Sequence, residues 1–176
     1  MSASRPWPGP APESPLVLGV EPDQDRHLVV RAARIAARMG TGIVCTWVDT
    51  THVRAAESAV GIDGTIPTAP LDPDSVDEGT DAAELAGILV ARLAEVLDPL
   101  HVAWCFSYRV GEATRGLTAE ARERDAAMIV VGARRPGFGG WMNEMIGGSV
   151  AGRLAHTQAV PVLVLPTKHE GELMAR

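Results

Sequence analysis

A glycine-rich segment, residues 132–149, holds the residues best suited to chemistry in this 176-residue chain. The apolar run over residues 128–131 predicts a buried strand that leads into it. Gly137 permits a tight turn and leaves backbone amides unshielded, and Gly148-Ser149 opens a predicted helix. Amides at a helix start, the positive end of its dipole and a serine hydroxyl suit an anion such as phosphate. A surface loop that ends in an ordinary serine cap fits the same pattern, so the residues alone leave both interpretations open.

Other phosphate-binding and catalytic motifs are excluded. A Walker A loop requires a lysine on the phosphates, and Lys168 is the only lysine in the chain. The turn after the first strand, which begins at Gly19, lacks the G-x-G-x-x-G pattern of dinucleotide-binding folds. Ser149 lies in a sequence close to a nucleophile elbow but does not directly follow a strand. The five histidines show no metal-ligand spacing. We therefore predict no catalytic residue and no metal ligand.

The composition predicts a globular protein of the cytoplasm. The chain is 46% hydrophobic and 22% charged, with a net charge of -6 and a pI of about 5.3. An acidic chain without a basic stripe is a poor candidate for binding nucleic acid. No apolar run approaches the length of a membrane span, and the first residues do not form a signal peptide. Cys45 and Cys105 lie in apolar runs, which predicts buried, reduced thiols.

The pattern along the chain divides it into three parts, the second of which contains an insertion. Residues 1–15 contain five prolines and no periodicity, which predicts a disordered or loosely held tail. Residues 16–167 form one predicted domain, and residues 168–176 are a second tail. Within the domain, residues 50–80 lack a sustained pattern and are rich in proline, glycine and acidic side chains. We interpret them as a mobile insertion whose one expected element is a short helical piece over residues 53–59.

Apolar runs alternate with helical patterns along the rest of the domain. The predicted order is strand, helix, strand, insertion, helix, strand, helix, strand, helix, strand. Continuous apolar strands joined by helices are typical of a parallel α/β sheet that is covered on both faces, here doubly wound. Ligands of such sheets bind at the carboxyl ends of the strands, at the point where the strand order reverses. The predicted strand ends carry Glu21, Asp49, Gly111 and Gly132.

Several motifs, in the right order, resemble the universal stress protein family. They are Val17-Leu-Gly-Val-Glu21, Thr46-Trp-Val-Asp49, Arg109-Val-Gly-Glu-Ala113, Met128-Ile-Val-Val-Gly-Ala-Arg134, Gly148-Ser-Val150 and Val160-Pro-Val-Leu-Val-Leu165. The resemblance covers nearly the whole chain after the tail. It implies a single five-stranded parallel sheet of the Rossmann-like, adenine nucleotide alpha hydrolase-like class, with strand order 3-2-1-4-5. It also implies a cytoplasmic, stress-associated binding or regulatory protein that forms homodimers along the closing strand, residues 160–165.

The resemblance further implies a nucleotide site for ATP with Mg²⁺. Members of the family that bind ATP carry a G-x-x-G-(nine residues)-G-(S/T) loop. Carried over to this chain, the phosphates would meet the residues Gly132, Gly137, Gly148, Ser149 and Val150. Glu21 would accept hydrogen bonds from the ribose, and Val20 and Trp47 would flank the base.

The chain departs from that loop pattern at several positions. Arg135 stands where the second glycine belongs, and from Gly137 ten residues precede Gly148 instead of nine. Glu21 replaces the usual aspartate, and Trp47 replaces a small aliphatic side chain. The indole of Trp47 either stacks on adenine or fills the pocket. The alternatives to nucleotide binding are an interaction module whose pocket Trp47 closes and a weak nucleotide hydrolase.

Overall fold

The strands and helices follow the predicted alternation. The computed structural model describes residues 4–23, 25–50, 52–54, 68–70, 82–133, 150–157 and 159–166. Its strands are β1 (Leu16–Gly19), β2 (Ile43–Asp49), β3 (His52–Arg54), β4 (Thr68–Pro70), β5 (Trp104–Val110), β6 (Met128–Gly132) and β7 (Val162–Leu165). Its α-helices are α1 (Arg26–Met39), α2 (Ala82–Leu97), α3 (Ala113–Glu123) and α4 (Val150–Thr157). None of these helices is long and apolar enough to cross a membrane.

Five strands form one parallel sheet in the order β5-β2-β1-β6-β7. Numbered without β3 and β4, this is the order 3-2-1-4-5, so the predicted α/β fold with its doubly wound, five-stranded sheet is confirmed. The strand order reverses between β1 and β6. β1 therefore lies at the centre of the sheet and pairs on both sides.

Both faces of the sheet are buried, as continuous apolar strands require. Leu16 and Leu18 point to the face covered by α1 and α2, whereas Val17 points to the face covered by α3 and α4. All three side chains are fully buried. Burial of each such side chain contributes about 1.5–3 kcal/mol. Alternate residues of β1 therefore stabilise the packing of helices on both faces of the sheet.

The ends of α1 are those that the sequence predicts. The Asp25 carboxylate accepts a hydrogen bond from the backbone N–H of His27 at 2.9 Å and caps the first turn. Gly40 ends the helix with φ at 69°, a left-handed conformation that glycine adopts without strain. Local caps therefore define both ends of α1.

Two regions differ from the sequence-based prediction. Residues 4–15 contact the domain, and Arg5 forms an antiparallel bridge with Phe106 on the outer edge of β5. A loosely held tail was expected because proline-rich sequence carries no periodicity, which hides contacts with distant residues. In the insertion, β3 and β4 form an antiparallel ribbon, so the expected helical piece is wrong at its first two residues. The remainder of that expected piece lies outside the described residues.

Cys45 and Cys105 are buried free thiols, as predicted. They point to opposite faces of the sheet. Burial raises the pKa of Cys105 to about 11 and raises the pKa of Cys45 still further. Both thiols are therefore protonated at neutral pH and pack as small apolar side chains.

Two helical glycines provide a matched test of the packing of α3 on the sheet. A Cβ at Gly116 would lie 2.7 Å from a Val48 methyl, whereas a Cβ at Gly87 in α2 would meet nothing within 4 Å. We expect Gly116→Ala to lower the free energy of unfolding by about 1–2 kcal/mol through overpacking. Gly87→Ala should raise it by about 0.5–1 kcal/mol through helix propensity. Urea unfolding measures both, and equal stabilisation by the two variants would contradict the close contact.

Candidate functional site

Three neighbouring strands bring residues at or near their carboxyl ends to one level of the sheet, two residues before β2 ends at Asp49. Gly19 is opposite Thr46, so the next residues, Val20 and Trp47, also lie side by side. Leu18 is opposite Val130, so two residues further on Val20 is level with Gly132. The sheet thus brings together three of the predicted site residues, one from each of three adjacent strand ends.

This level coincides with the reversal of strand order between β1 and β6. In open α/β sheets such a reversal leaves a crevice, because the connections leave toward opposite faces. The backbone there is fixed on both sides. The N–H of Val20 donates to the carbonyl of Thr46 at 3.0 Å, and that of Ala133 donates to the carbonyl of Leu165 at 2.7 Å. The exposed residue Glu21 follows directly, at the reversal point.

Trp47 is held inside the core at this level. Its side chain is only 7% exposed and meets the Tyr108 ring edge-on, with centroids 5.1 Å apart and planes at 61°. The Tyr108 hydroxyl donates to the Asp49 carboxylate at 2.8 Å, and Asp49 is itself buried. Aromatic pairs in this arrangement contribute about 0.5–1.5 kcal/mol beyond their buried area. Of the two roles open to Trp47, filling the interior matches this geometry better than presenting a free ring face.

Glu112 joins the starts of α3 and α4. Its carboxylate caps α3 by accepting from the N–H groups of Thr114 at 3.1 Å and Arg115 at 2.9 Å. The Arg153 guanidinium, on the first turn of α4, lies 3.0 Å from the same side chain. Partial burial raises the pKa of Glu112, but the two amide hydrogen bonds outweigh it and hold the pKa below its usual value. Glu112 is therefore ionised at neutral pH and orients both helix starts at the carboxyl edge of the sheet.

A second carboxylate, Glu120, ties α3 to β5. It is 1% exposed and accepts from the Ser107 hydroxyl at 2.8 Å, from Arg124 at 3.0 Å and from Arg109. Arg109 also pairs with Glu123. Burial raises the pKa of Glu120, but hydrogen bonds from Arg109, Ser107 and Arg124 outweigh it and lower the pKa below the ordinary value of 4.5. Because the buried Glu120 carboxylate is paired with these three donors, it fixes α3 against β5.

The predicted site residues fall into two groups. Val20, Glu21, Trp47, Gly132 and Val150 are among the described residues, whereas Gly137, Gly148 and Ser149 lie outside them. Val20 is 3% exposed, Gly132 ends β6, and Val150 begins α4. In the described ranges, no group of three His, Cys, Asp or Glu side chains has the geometry to hold a metal ion.

Sequence reasoning missed the polar contacts that surround this site. The Tyr108–Asp49 hydrogen bond joins residues 59 positions apart, a separation at which no sequence spacing gives a signal. Glu112 did carry a signal, because it follows Gly111 immediately before a helical pattern, where a capping acid belongs. Its partner Arg153 could not be found in this way, since the pairing depends on the placement of α4.

Comparison with known proteins identifies the family. The family model of the universal stress proteins matches residues 14–166, and the chain belongs to that family. The fold resembles a universal stress protein from Archaeoglobus fulgidus, with 19% identity, a TM-score of 0.57 and coverage of 85% of this chain and 91% of that one. A universal stress protein in complex with cAMP shares 16% identity at a TM-score of 0.59, over 90% of this chain and 100% of the other.

A third structure is that of the universal stress protein from Archaeoglobus fulgidus in complex with dAMP. It shares 20% identity at a TM-score of 0.54, over 85% of this chain and 95% of the other. At these identities the likeness establishes the fold alone. No curated protein matches the chain closely enough to serve as a guide.

The Glu120 network makes stability depend on pH. Because the folded-state pKa is lowered, the ionised form stabilises the protein above the ordinary pKa of 4.5 and this stabilisation is lost as the pH falls through the folded-state pKa. We expect Glu120→Gln to cost about 3 kcal/mol of unfolding free energy at pH 7. The deficit should shrink steadily below pH 4.5. Urea titrations at several pH values measure it, with the exposed Glu95→Gln as control; a deficit independent of pH would refute the assignment.

Proposed function

We propose that this universal stress protein binds an adenine nucleotide at the carboxyl ends of β1, β2 and β6. One observation carries the proposal: Val20, Trp47 and Gly132, from three adjacent strands, lie at one level beside an exposed acid, at the point where the strand order reverses. Relatives of the same fold have been solved in complex with cAMP and with dAMP, which supports an adenosine monophosphate unit as the shared ligand.

Each end of the proposed site has a distinct task. The Glu21 carboxylate accepts hydrogen bonds from the ribose hydroxyls, and Val20 with Trp47 forms the wall against which the base rests. Gly132 lets the chain pass close to the ligand because it lacks a side chain. Gly137, Gly148, Ser149 and Val150 supply amides and one hydroxyl to the phosphates, as the family motif implies. Mg²⁺ enters the site on the phosphates of ATP.

Isothermal titration with AMP, cAMP and ATP, the last with and without Mg²⁺, tests this division. We expect Glu21→Ala to weaken all three ligands by a similar factor, about tenfold, because it removes contacts to the shared ribose. Ser149→Ala should weaken ATP more than AMP, since it removes a charge-assisted hydrogen bond from the phosphate end.

The control for the titration is Glu95→Ala, an exposed acid on α2 that should leave binding unchanged. Absence of binding heat with every nucleotide at millimolar concentration would refute the proposal.

The burial of Trp47 favours a second candidate, an interaction module of the same fold whose pocket the indole closes. Substitution by a small aliphatic residue distinguishes the two. If Trp47 is a wall of a working site, Trp47→Val lowers nucleotide affinity. If Trp47 blocks the site, the wild-type protein binds no nucleotide and Trp47→Val gains binding. The direction of the change therefore decides between the candidates.

We further propose a binding or regulatory role in the cytoplasmic stress response and no enzymatic turnover. General acid-base catalysis requires a titratable group held beside the reacting phosphate. Of the acids described near the strand ends, Asp49 and Glu112 are already occupied by Tyr108 and by the helix starts, and the third, Glu21, is assigned in this proposal to the ribose and not to the phosphates. Phosphate release from ATP above the buffer background would revive the remaining alternative, a weak nucleotide hydrolase.

We also propose that the protein forms a homodimer through the closing strand, residues 160–165. β7 pairs with β6 on one side, no described strand lies on its other side, and Val164 is 43% exposed. An apolar edge strand tends to pair with another chain.

Light scattering at tens of micromolar tests the dimer. We expect the wild-type protein to show a dimer mass and Val164→Lys to show a monomer mass, because a lysine on the edge strand disfavours pairing. Met39→Lys replaces a similarly exposed apolar side chain on α1 and should leave the mass unchanged. A monomeric wild-type protein would contradict the proposal.

A further inference from the structure

The N-terminal strap, defined as residues 4–15, reaches the outer edge of β5 at Arg5. The backbone N–H of Phe106 donates to the carbonyl of Arg5 at 2.9 Å, which forms one antiparallel bridge. β5 pairs with β2 on its other side. The strap therefore occupies an edge that would otherwise offer hydrogen bonds to another chain.

The Arg5 side chain fits a receiving surface made by distant residues. Its guanidinium carbon lies 3.8 Å from the centre of the Trp104 ring, and one of its nitrogens is 3.0 Å from the Asp98 carboxylate. The Trp104 indole N–H donates to the same carboxylate oxygen at 2.7 Å, which fixes the acid in place. A planar guanidinium can stack on the ring and pair with the acid at once, whereas an ammonium cannot reproduce this arrangement. The surface is therefore specific for arginine.

A second contact lies two residues further along the strap. Trp7 packs against the cluster on the α3 and α4 face of the sheet. A Cβ on Gly42 would lie 2.8 Å from the Trp7 ring and 2.7 Å from Pro12, so only a glycine leaves room for the strap there. The Thr41 hydroxyl donates to the carbonyl of Glu13 at 2.7 Å. The surface thus accepts an arginine, then an aromatic ring, then a backbone carbonyl.

Two contacts between the strap and this surface are weaker than they could be: that of the Trp7 indole N–H and that of the Arg5 side chain. The indole N–H of Trp7 is buried and finds no acceptor among the described residues, and an unsatisfied buried donor costs about 1–3 kcal/mol. The Arg5 and Asp98 side chains are 31% and 51% exposed, so their ion pair is reached by water. A segment of the same chemistry can therefore compete for the edge.

We propose that the surface formed by the β5 edge, Asp98 and Gly42 is a docking site for a peptide segment of a partner protein, with an arginine followed two residues later by an aromatic ring. The chain's own strap, with Arg5-Pro6-Trp7, fills the site in the same molecule. A partner segment binds by displacing it, which couples partner binding to release of the N-terminus. The main-chain bridge to Phe106 contributes affinity, and the Trp104–Asp98 and Gly42 surfaces supply specificity.

Fluorescence anisotropy with a labelled synthetic peptide of residues 4–15 tests the proposal on full-length protein. We expect the double variant Arg5→Ala/Trp7→Ala to bind this peptide. The wild-type protein should bind it at least tenfold more weakly, because its own strap is present at a high effective concentration. A peptide in which arginine is replaced by lysine should bind the double variant about tenfold more weakly, since it loses the stacked contact.

The receiving surface has its own matched controls. Asp98→Asn, added to the double variant, should weaken peptide binding, whereas Asp23→Asn, an exposed acid in the turn after β1, should not. Circular dichroism verifies that each variant is folded. A folded double variant that binds no peptide, or a wild-type protein that binds it equally well, overturns the proposal.

Hydrogen exchange at the Phe106 amide keeps the test decisive if the double variant does not fold. In wild-type protein this amide should exchange slowly, because it donates to the carbonyl of Arg5. In the single variant Arg5→Lys its exchange should be about tenfold faster, and the matched surface variant Arg34→Lys should leave it unchanged. Equal exchange in Arg5→Lys and wild type overturns the arginine-specific anchor.

Discussion

Burial of both faces of the central strands is the constraint on which the structure depends. Leu16, Val17 and Leu18 are successive residues with no exposed surface, so helices must cover the sheet on both sides. Helices on both sides require the connections to run outward in two directions, from β1 toward β5 and from β6 toward β7. The reversal between β1 and β6 follows, and with it the level at which Val20 and Gly132 meet. The candidate site is in this sense a geometric consequence of the hydrophobic core.

The sequence predicted what depends on local pattern. Apolar runs located the strands, capping residues such as Asp25 located helix ends, and motif order identified the family and hence the strand order. Contacts between distant residues carry no such pattern. The Arg5 guanidinium meets Asp98 across 93 positions, and neither residue type nor spacing indicates the pair. Proline-rich sequence was accordingly interpreted as a loose tail, although residues 4–15 are held by side chains that only the folded sheet brings together.

The candidate site has the strand arrangement of the fold, but its lining includes a bulky indole, that of Trp47. Glu21 is exposed at the reversal point, where a ligand would meet it, yet Trp47 is packed edge-on against Tyr108. The Tyr108 hydroxyl is in turn held by Asp49, so moving the indole would disturb a buried carboxylate as well. Such coupling makes the wall of the site rigid. A ligand that binds here must fit beside Trp47, which favours recognition through the ribose and phosphates over insertion of the base between the rings.

The two edge strands of the sheet, β5 and β7, differ in what lies on their outer sides, and this difference limits how the molecule can associate. β5 carries the strap, which takes the Phe106 amide and covers the Trp104 ring. β7 carries no described partner on its outer side and exposes Val164. The homodimer proposed above would pair through β7, whose outer side no described strand covers. A partner segment at β5 would lie at the opposite edge of the same sheet, about four strand spacings of roughly 4.8 Å away from β7. The two proposed interactions therefore use separate edges, so the strap and the β7 surface do not compete for one strand.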